Sequence, residues 1–370
     1  MSPASGLARG EPNSAADPKL AFDAVRAALA KLKVDRARSA LLFLTGHFAR
    51  NPTPAIHAAA RAAQTTQIAG CTAVGVYTDE AWVIDAPAAA AMVFAPGDDN
   101  SEAGSGSGNE LTPALTATDD DWLLSLATPT GASRNWLAMP GRRIGAIAGD
   151  TSGRGPFPVW SSGKLLDSGR LDLHLPRACR LSVSPGLTPI SALLEVTQVR
   201  EFDLMRVAHR PALTALVAQA LPHLDGGQPF PWHRLLLALA DDEPHLALAS
   251  GDYELLPVLG VSATRSLVLG GKLLEGDRVF SVLREPKVAK QEFDIKLTTA
   301  RHQGRPRYIL LFSCAGRGPG FFDGRDADWD GVRRTWQGTP MIGFYGNGEI
   351  AAVGGRNRVL QFASVCALVG

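Results

Sequence analysis

SALLFLT, residues 39–45, is short, apolar throughout and followed at once by Gly46 and His47. A continuous apolar run of that length suits a strand buried on both faces, and Thr53 with Pro54 then opens a helical pattern that runs to Thr66. Strand, loop and helix in this order point to an α/β fold. YILLFSC, residues 308–314, has the same build and also ends in a glycine-rich turn. The two runs predict two similar-sized α/β lobes with mixed sheets covered by helices, although no fixed-period repeat is visible.

Before the first run, Leu20, Phe22, Val25, Leu29 and Leu32 share one helical face, with Asp17 as cap and Pro18 as first helical residue. Residues 1–16, rich in Ser, Pro, Gly and Ala, read as a disordered tail. After it, 68–77 predicts a strand whose small residues, Gly70 to Gly75, let another backbone or a ligand approach closely, and 89–94 a third strand. Residues 97–121 carry seven acidic side chains, no basic one and an SGSG core, the mark of a disordered, solvated loop. Residues 157–175 alternate as an antiparallel meander does. The second lobe begins near Ser191, with a helix over 211–221, strands near 235–239, 253–258, 266–269 and 278–283, and a helix over 287–301.

The 370 residues hold 37 Lys plus Arg against 36 Asp plus Glu, a net charge of +1 that offers no general field for a phosphate backbone, so no nucleic-acid partner is expected. No apolar run reaches the roughly 18–20 residues of a membrane helix, and the N-terminus lacks the apolar core of a secretory signal. A cytoplasmic location without membrane partner is expected. Cys71, Cys179, Cys314 and Cys366 are too few and too scattered for a disulfide framework or a zinc spacing. The eight histidines are dispersed, and no G-x-S-x-G elbow occurs.

Three local patterns carry chemistry. Asp326-x-Asp328-x-Asp330-Gly331 matches the first half of a calcium loop, but Gln337 stands where the bidentate Glu belongs, and the pattern reads as an acidic turn whose Asp330 caps a helix over 332–336. Arg317, in FSCAGRG directly after an apolar strand, can clamp a carboxylate in a bidentate way; read locally it is equally a structural arginine in a glycine turn. Glu349, in GFYGNGEI, can accept from a ligand amine, or be a solvated residue of a hairpin turn at Asn347-Gly348. Cys71 is by the same measure a small buried hydrophobe and His47 a loop histidine.

Together these blocks resemble the FIST sensory family, whose members pair an N-terminal with a C-terminal FIST domain. LLFSCAGRG (310–318) and TPMIGFYGNGEI (339–350) follow the order of that family's F-x-C-x-G-R and G-F-Y-x-x-G-E blocks, and GGKLLEGDRVFSVLRE (270–285) is similar to its E-G-x-x-V strand pair. RPALTAL (210–216) looks like the helix opening its second domain, LLFLTGHF (41–48) like the strand ending in its H-F pair, IAGCTAVG (68–75) like its G-C-T-x-x-G turn, and 147–169 like its later glycine-rich hairpin. The departure lies after Glu349, where Gln361 stands near the place of a polar, often histidine-containing strand.

The resemblance implies a FIST N-like domain over 37–192, with the acidic loop 97–121 inside it, and a FIST C-like domain over 193–368. It implies an intracellular, non-enzymatic sensor that binds a small metabolite such as an amino acid between the two lobes and signals to a separate protein such as a kinase or cyclic-dinucleotide enzyme. Carried onto this chain, the ligand-binding candidates are His47, Cys71, Thr72, Cys314, Arg317, Tyr345 and Glu349, with no cofactor. Two alternatives stay open. One is a haem-binding nitric oxide sensor, with His47, Cys71 or Cys314 as axial ligand. The other is a thiol-dependent enzyme using Cys314 or Cys71 with His47 as base.

Overall fold

The computed structural model describes residues 2–96, 111–150, 152–223, 230 and 232–370. In chain order it begins with β1 (Ala4–Arg9), α1 (Lys19–Leu32), β2 (Ser39–Thr45), α2 (Thr53–Ala63), β3 (Ile68–Ala73), β4 (Gly75–Thr78), β5 (Trp82–Ile84) and β6 (Ala88–Phe94). There follow β7 (Trp122–Ala127), α3 (Arg134–Leu137), β8 (Arg142–Ile147), β9 (Val159–Ser161), β10 (Lys164–Leu165), β11 (Arg170–Leu175) and β12 (Cys179–Ser184). A middle stretch holds β13 (Leu187–Pro189), β14 (Leu194–Arg200), β15 (Asp203–Val207), β16 (Arg210–Pro211), α4 (Ala212–Ala220), β17 (Leu235–Leu239), α5 (Pro244–Ser250), β18 (Glu254–Val261), β19 (Leu267–Leu269), β20 (Arg278–Arg284) and α6 (Pro286–Arg301). The chain ends on β21 (Tyr308–Cys314), α7 (Ala327–Thr335), β22 (Met341–Gly346), β23 (Glu349–Val353), β24 (Arg356–Leu360) and β25 (Ser364–Val369). The α/β class read from the sequence is what the structure has. Among the described residues no helix is long and apolar enough to cross a membrane.

The chain divides into two compact units, 1–184 with 293–352 and 356–370, and 185–292 with 353–355. The expected lobes of similar size are therefore corrected. The C-terminal strands do not build a lobe of their own but complete the sheets of the N-terminal half: β25 pairs with β12, β22 with β4 and β23 with β8.

The larger unit contains three sheets of one design. Each is centred on a parallel pair, β2–β3, β7–β8 or β21–β22. A helix links the two strands in every case, α2, α3 or α7. An antiparallel strand flanks the first member, β6, β11 or β25, and a hairpin flanks the second, β9–β10, β23–β24 or β4–β5. The registers coincide: Leu42, Ser125 and Leu311 face Gly70, Gly145 and Gly343. At each of these glycines a Cβ would fall 1.7, 1.8 or 1.7 Å from the carbonyl oxygen of its facing residue, so a side chain is barred there.

The hairpins are exchanged in a ring. β3 runs into β4–β5, which pairs with β22; β22 runs into β23–β24, which pairs with β8; β8 leads to β9–β10, which pairs with β3. Where the chain crosses between sheets, Val74 N–H donates to Tyr345 O (3.1 Å), Asn347 N–H to Ile147 O (3.0 Å) and Gly149 N–H to Thr72 O (3.1 Å). The expected single strand over 68–77 is thus two strands in two sheets, broken at Val74.

Inner faces meet through Phe43, Phe312 and Phe344, whose rings approach edge to face. Alanine-rich α1 and α2 cover the outer face of the first sheet, while Phe293, Leu297, Trp329 and Val332 cover that of the β21–β22 sheet.

Two disorder expectations meet the structure differently. Ala4–Arg9, expected in a tail, pairs along its whole length with Ala88–Val93, and Gly6 lies so close under α1 that a Cβ would stand 2.2 Å from Ala24 O. Of the acidic loop, 97–110 lies outside the described residues, whereas Leu111 is buried and its N–H donates to His174 O (2.8 Å).

In the smaller unit β20, β14, β15, β19, β18 and β17 pair in sequence, and β17 returns to β20, closing a six-stranded antiparallel barrel. Val196, Leu204, Leu216, Leu237, Leu256 and Leu267 fill its core.

Candidate functional site

All seven candidates lie in the larger unit, at or just past the carboxyl ends of its parallel strands, where α/β sheets commonly hold ligands. β21 ends at Cys314, and a single 3-10 turn, Ala315–Arg317, brings the chain around. Arg317 is 1% exposed and Asp328, in the first turn of α7, 0%. The guanidinium grips that carboxylate in a fork, Nε to Oδ2 at 2.7 Å and Nη2 to Oδ1 at 3.1 Å. It also donates to Ser184 O and Ser184 Oγ, both at 2.9 Å, and lies over the Phe293 ring. The clamp read from the sequence is therefore closed on a carboxylate of the protein itself, and the role of Arg317 in this conformation is to fix α7 and the end of β12.

Asp326 caps α7 by accepting from Trp329 N–H at 2.9 Å, a place the sequence reading had given to Asp330 with a later helix start. Tyr345 from β22 donates its hydroxyl to the other Asp326 oxygen. The Tyr345 ring meets that of Tyr77 edge to face, and the Tyr77 hydroxyl donates to Leu311 O (2.9 Å) and Phe344 O (3.1 Å). Burial, and then the neighbouring Asp328 charge, push the Asp326 carboxyl up to about 7, although the hydrogen bonds it accepts oppose this. Burial likewise raises both phenols well above their ordinary range. The calcium-like pattern is thus spent on a helix cap and an ion pair, and among the described residues no group of three or more His, Cys, Asp or Glu is placed to hold a metal.

Glu349 opens β23. GFYGNGEI is not a hairpin, because β22 and β23 belong to different sheets and Gly348, at φ +142°, turns the chain from one to the other. The expectation of a solvated Glu349 is corrected: it is 0% exposed, and neither carboxylate oxygen has a hydrogen-bond partner among the described residues. Burial raises its pKa well above the ordinary carboxylate range. The backbone N–H groups of Ala363 and of Glu349 itself, together with the Arg317 charge, oppose the rise without reaching hydrogen-bond geometry, and the Asp328 charge adds to it.

The remaining candidates are less convergent. Thr72 is buried with its hydroxyl unpartnered among the described residues, and its carbonyl accepts from Gly149 N–H. Cys314 is tied by its N–H to Ala363 O at 3.0 Å. Cys71 is fully buried on the inner face of β3, and burial pushes its thiol well up, opposite to what a nucleophile or an anionic sulfur ligand needs. His47 stands exposed on the turn after β2, Nδ1 3.2 Å from Thr45 Oγ1. Partial burial lowers its pKa, against the raising influence of Asp85. An exposed histidine and strand-enclosed thiols do not make the apolar slot with an axial donor that haem requires. The haem alternative does not fit these residues.

The sequence reading missed Asp326, Asp328 and Ser184 as the partners that organise the site. The signal was present in the acids of 326–330, but it pointed to calcium, because the pairing with Arg317 depends on a fold that returns α7 against β12.

Residues 216–352 match the FIST C domain. A curated protein of Mycobacterium tuberculosis strain H37Rv, described as uncharacterized, is 29% identical over 236 residues, covering 62% of this chain and 61% of its own length. An uncharacterized protein of Mycobacterium bovis strain AF2122/97 is 27% identical over 237 residues, with the same coverage. The match thus spans 61% of the length of these relatives. Cys314, Arg317, Tyr345 and Glu349 fall inside the matched stretch, and this match supports the resemblance to the FIST family over residues 216–352.

Proposed function

We propose that this protein is a small-ligand sensor: it binds a small metabolite such as an amino acid at the carboxyl ends of the parallel strands in its larger unit, catalyses no reaction itself, and passes the signal to a separate effector protein. The observation that carries the reading is the FIST C domain over 216–352, which contains a buried polar cluster, Arg317, Asp326, Asp328, Tyr345 and Glu349, where a β-sheet fold commonly presents its ligand. The neutral, buried Cys71 thiol favours sensing over thiol chemistry. A reducing, cytoplasmic setting suits four cysteines that are all free.

A thermal-shift screen of amino acids and common metabolites tests this reading. A ligand at about 100 times its Kd adds about 2.7 kcal/mol to stability, which shows clearly as a rise in Tm. A screen across metabolite classes in which nothing raises Tm would overturn the sensor reading.

A further inference from the structure

The three parallel pairs of the larger unit supply an internal comparison. Facing Cys71, Phe344 and Ala146, at one register position of the three sheets, stand Val159, Val76 and Glu349. All three are buried. Two modules keep the apolar, β-branched residue that such a strand favours, and the third holds a carboxylate. Burying an unpartnered carboxyl group is unfavourable, so packing alone selects valine at this place. The residue facing Glu349 is Ala146, the smallest of the three facing residues.

The charges around it do not balance. Arg317 already holds Asp328 in a fork, and Asp326 is a third buried acid at the same end of the sheet. Among the described residues these three buried carboxyl groups lie with the buried guanidinium of Arg317, and Glu349 is the one of the three without a hydrogen-bond partner. The chemistry that completes this arrangement is a second positive, hydrogen-bond-donating group. An ammonium brings three donors to two carboxylate oxygens, whereas a carboxylate ligand would meet an arginine already occupied.

We propose that Glu349 is the acceptor for the ammonium group of the ligand, so that the sensed class is primary amines, amino acids included, recognised through the amine end. This inference rests on the sensor reading above and narrows it.

The test uses two probe panels on the full chain: aminoacyl amides, which keep the amine and block the carboxylate, and N-acetyl amino acids, which do the reverse. Tm is read for the native protein, Glu349→Val and Glu349→Gln. The expected result is that at least one aminoacyl amide raises the native Tm and its N-acetyl counterpart does not. Glu349→Val, which copies Val76 and Val159, is expected to raise the Tm of the ligand-free protein and abolish the shift. Glu349→Gln, similar in shape and folded, is expected to weaken apparent affinity at least tenfold.

A shift from N-acetyl amino acids alone, a shift that survives both substitutions, or a drop in ligand-free Tm for Glu349→Val overturns the amine assignment and leaves the sensor reading standing. Silence from both panels overturns it as well, while the wider metabolite screen decides separately whether the protein senses any small molecule.

Discussion

Arg317 and Asp328 show what one buried pair does for the site. Their fork is enclosed at 1% and 0% exposure, so removing one partner strands the other charge without water. Arg317→Ala is expected to cost about 3–5 kcal/mol, read as a lower urea midpoint, whereas Arg317→Met combined with Asp328→Leu, which removes both charges, should cost much less. Equal losses in the two proteins would show that the pair is not what holds α7. Asp326 makes a separate, pH-dependent prediction. Its folded pKa of about 7 lies above the ordinary value of 3.8, so the stability tied to its neutral form is complete below about pH 4 and is lost as pH rises to about 7. Asn has no proton to lose. The Tm of Asp326→Asn relative to the native protein should therefore climb between pH 5 and pH 8, by the equivalent of about 2 kcal/mol or more. A constant difference across that range would place the Asp326 carboxyl in the ordinary range.

At the scale of elements, the strands with strong apolar runs were legible: 39–45 and 308–314 are buried along their whole length, as their composition predicts. β1 was not legible, because Ala4–Arg9 offers only alanine, serine, glycine and a single leucine before its arginine and so leaves no hydrophobic period to read. The same substitution of small for large residues hid the true face of α1, where Ala21, Ala24 and Ala28 are buried with Val25 and Leu29 while Phe22 is 37% exposed. The repeat is hidden in the sequence as well, since the modules share a register and a glycine but little sequence, and each is interrupted by a different insertion. That shared glycine is testable. Gly70→Ala, Gly145→Ala and Gly343→Ala each drive a Cβ to within 1.7–1.8 Å of a neighbouring carbonyl oxygen, and each should destabilise by about 3 kcal/mol or more. Gly320→Ala, with nothing within 4 Å, should stay within about 0.5 kcal/mol of the native protein. Denaturant midpoints of the four variants measure the contrast.

At the scale of the whole molecule, the ring of exchanged hairpins explains why the candidate blocks are recognisable in sequence while the division into two units is not. Glu349 and Arg317 sit in recognisable blocks, but the partners of those blocks are set by strand pairings between residues more than 200 positions apart, such as Val76 with Phe344. Cutting the chain at the boundary expected from sequence, into 1–192 and 193–370, separates β4 from β22, β8 from β23 and β12 from β25. Each such cut exposes an unpaired strand edge and part of the inner aromatic face, which a lone fragment has no means to cover. Fragment 1–192 alone should therefore lack near-ultraviolet circular dichroism and a cooperative thermal transition, and mixing it with 193–370 should restore both. The segment 185–292 closes its own barrel around its own core and should unfold cooperatively as an isolated fragment. Cooperative unfolding of 1–192 on its own would mean that the exchanged hairpins are dispensable, and that the ring of crossings at Val74, Gly149 and Asn347 is a consequence of assembly of the larger unit rather than its condition.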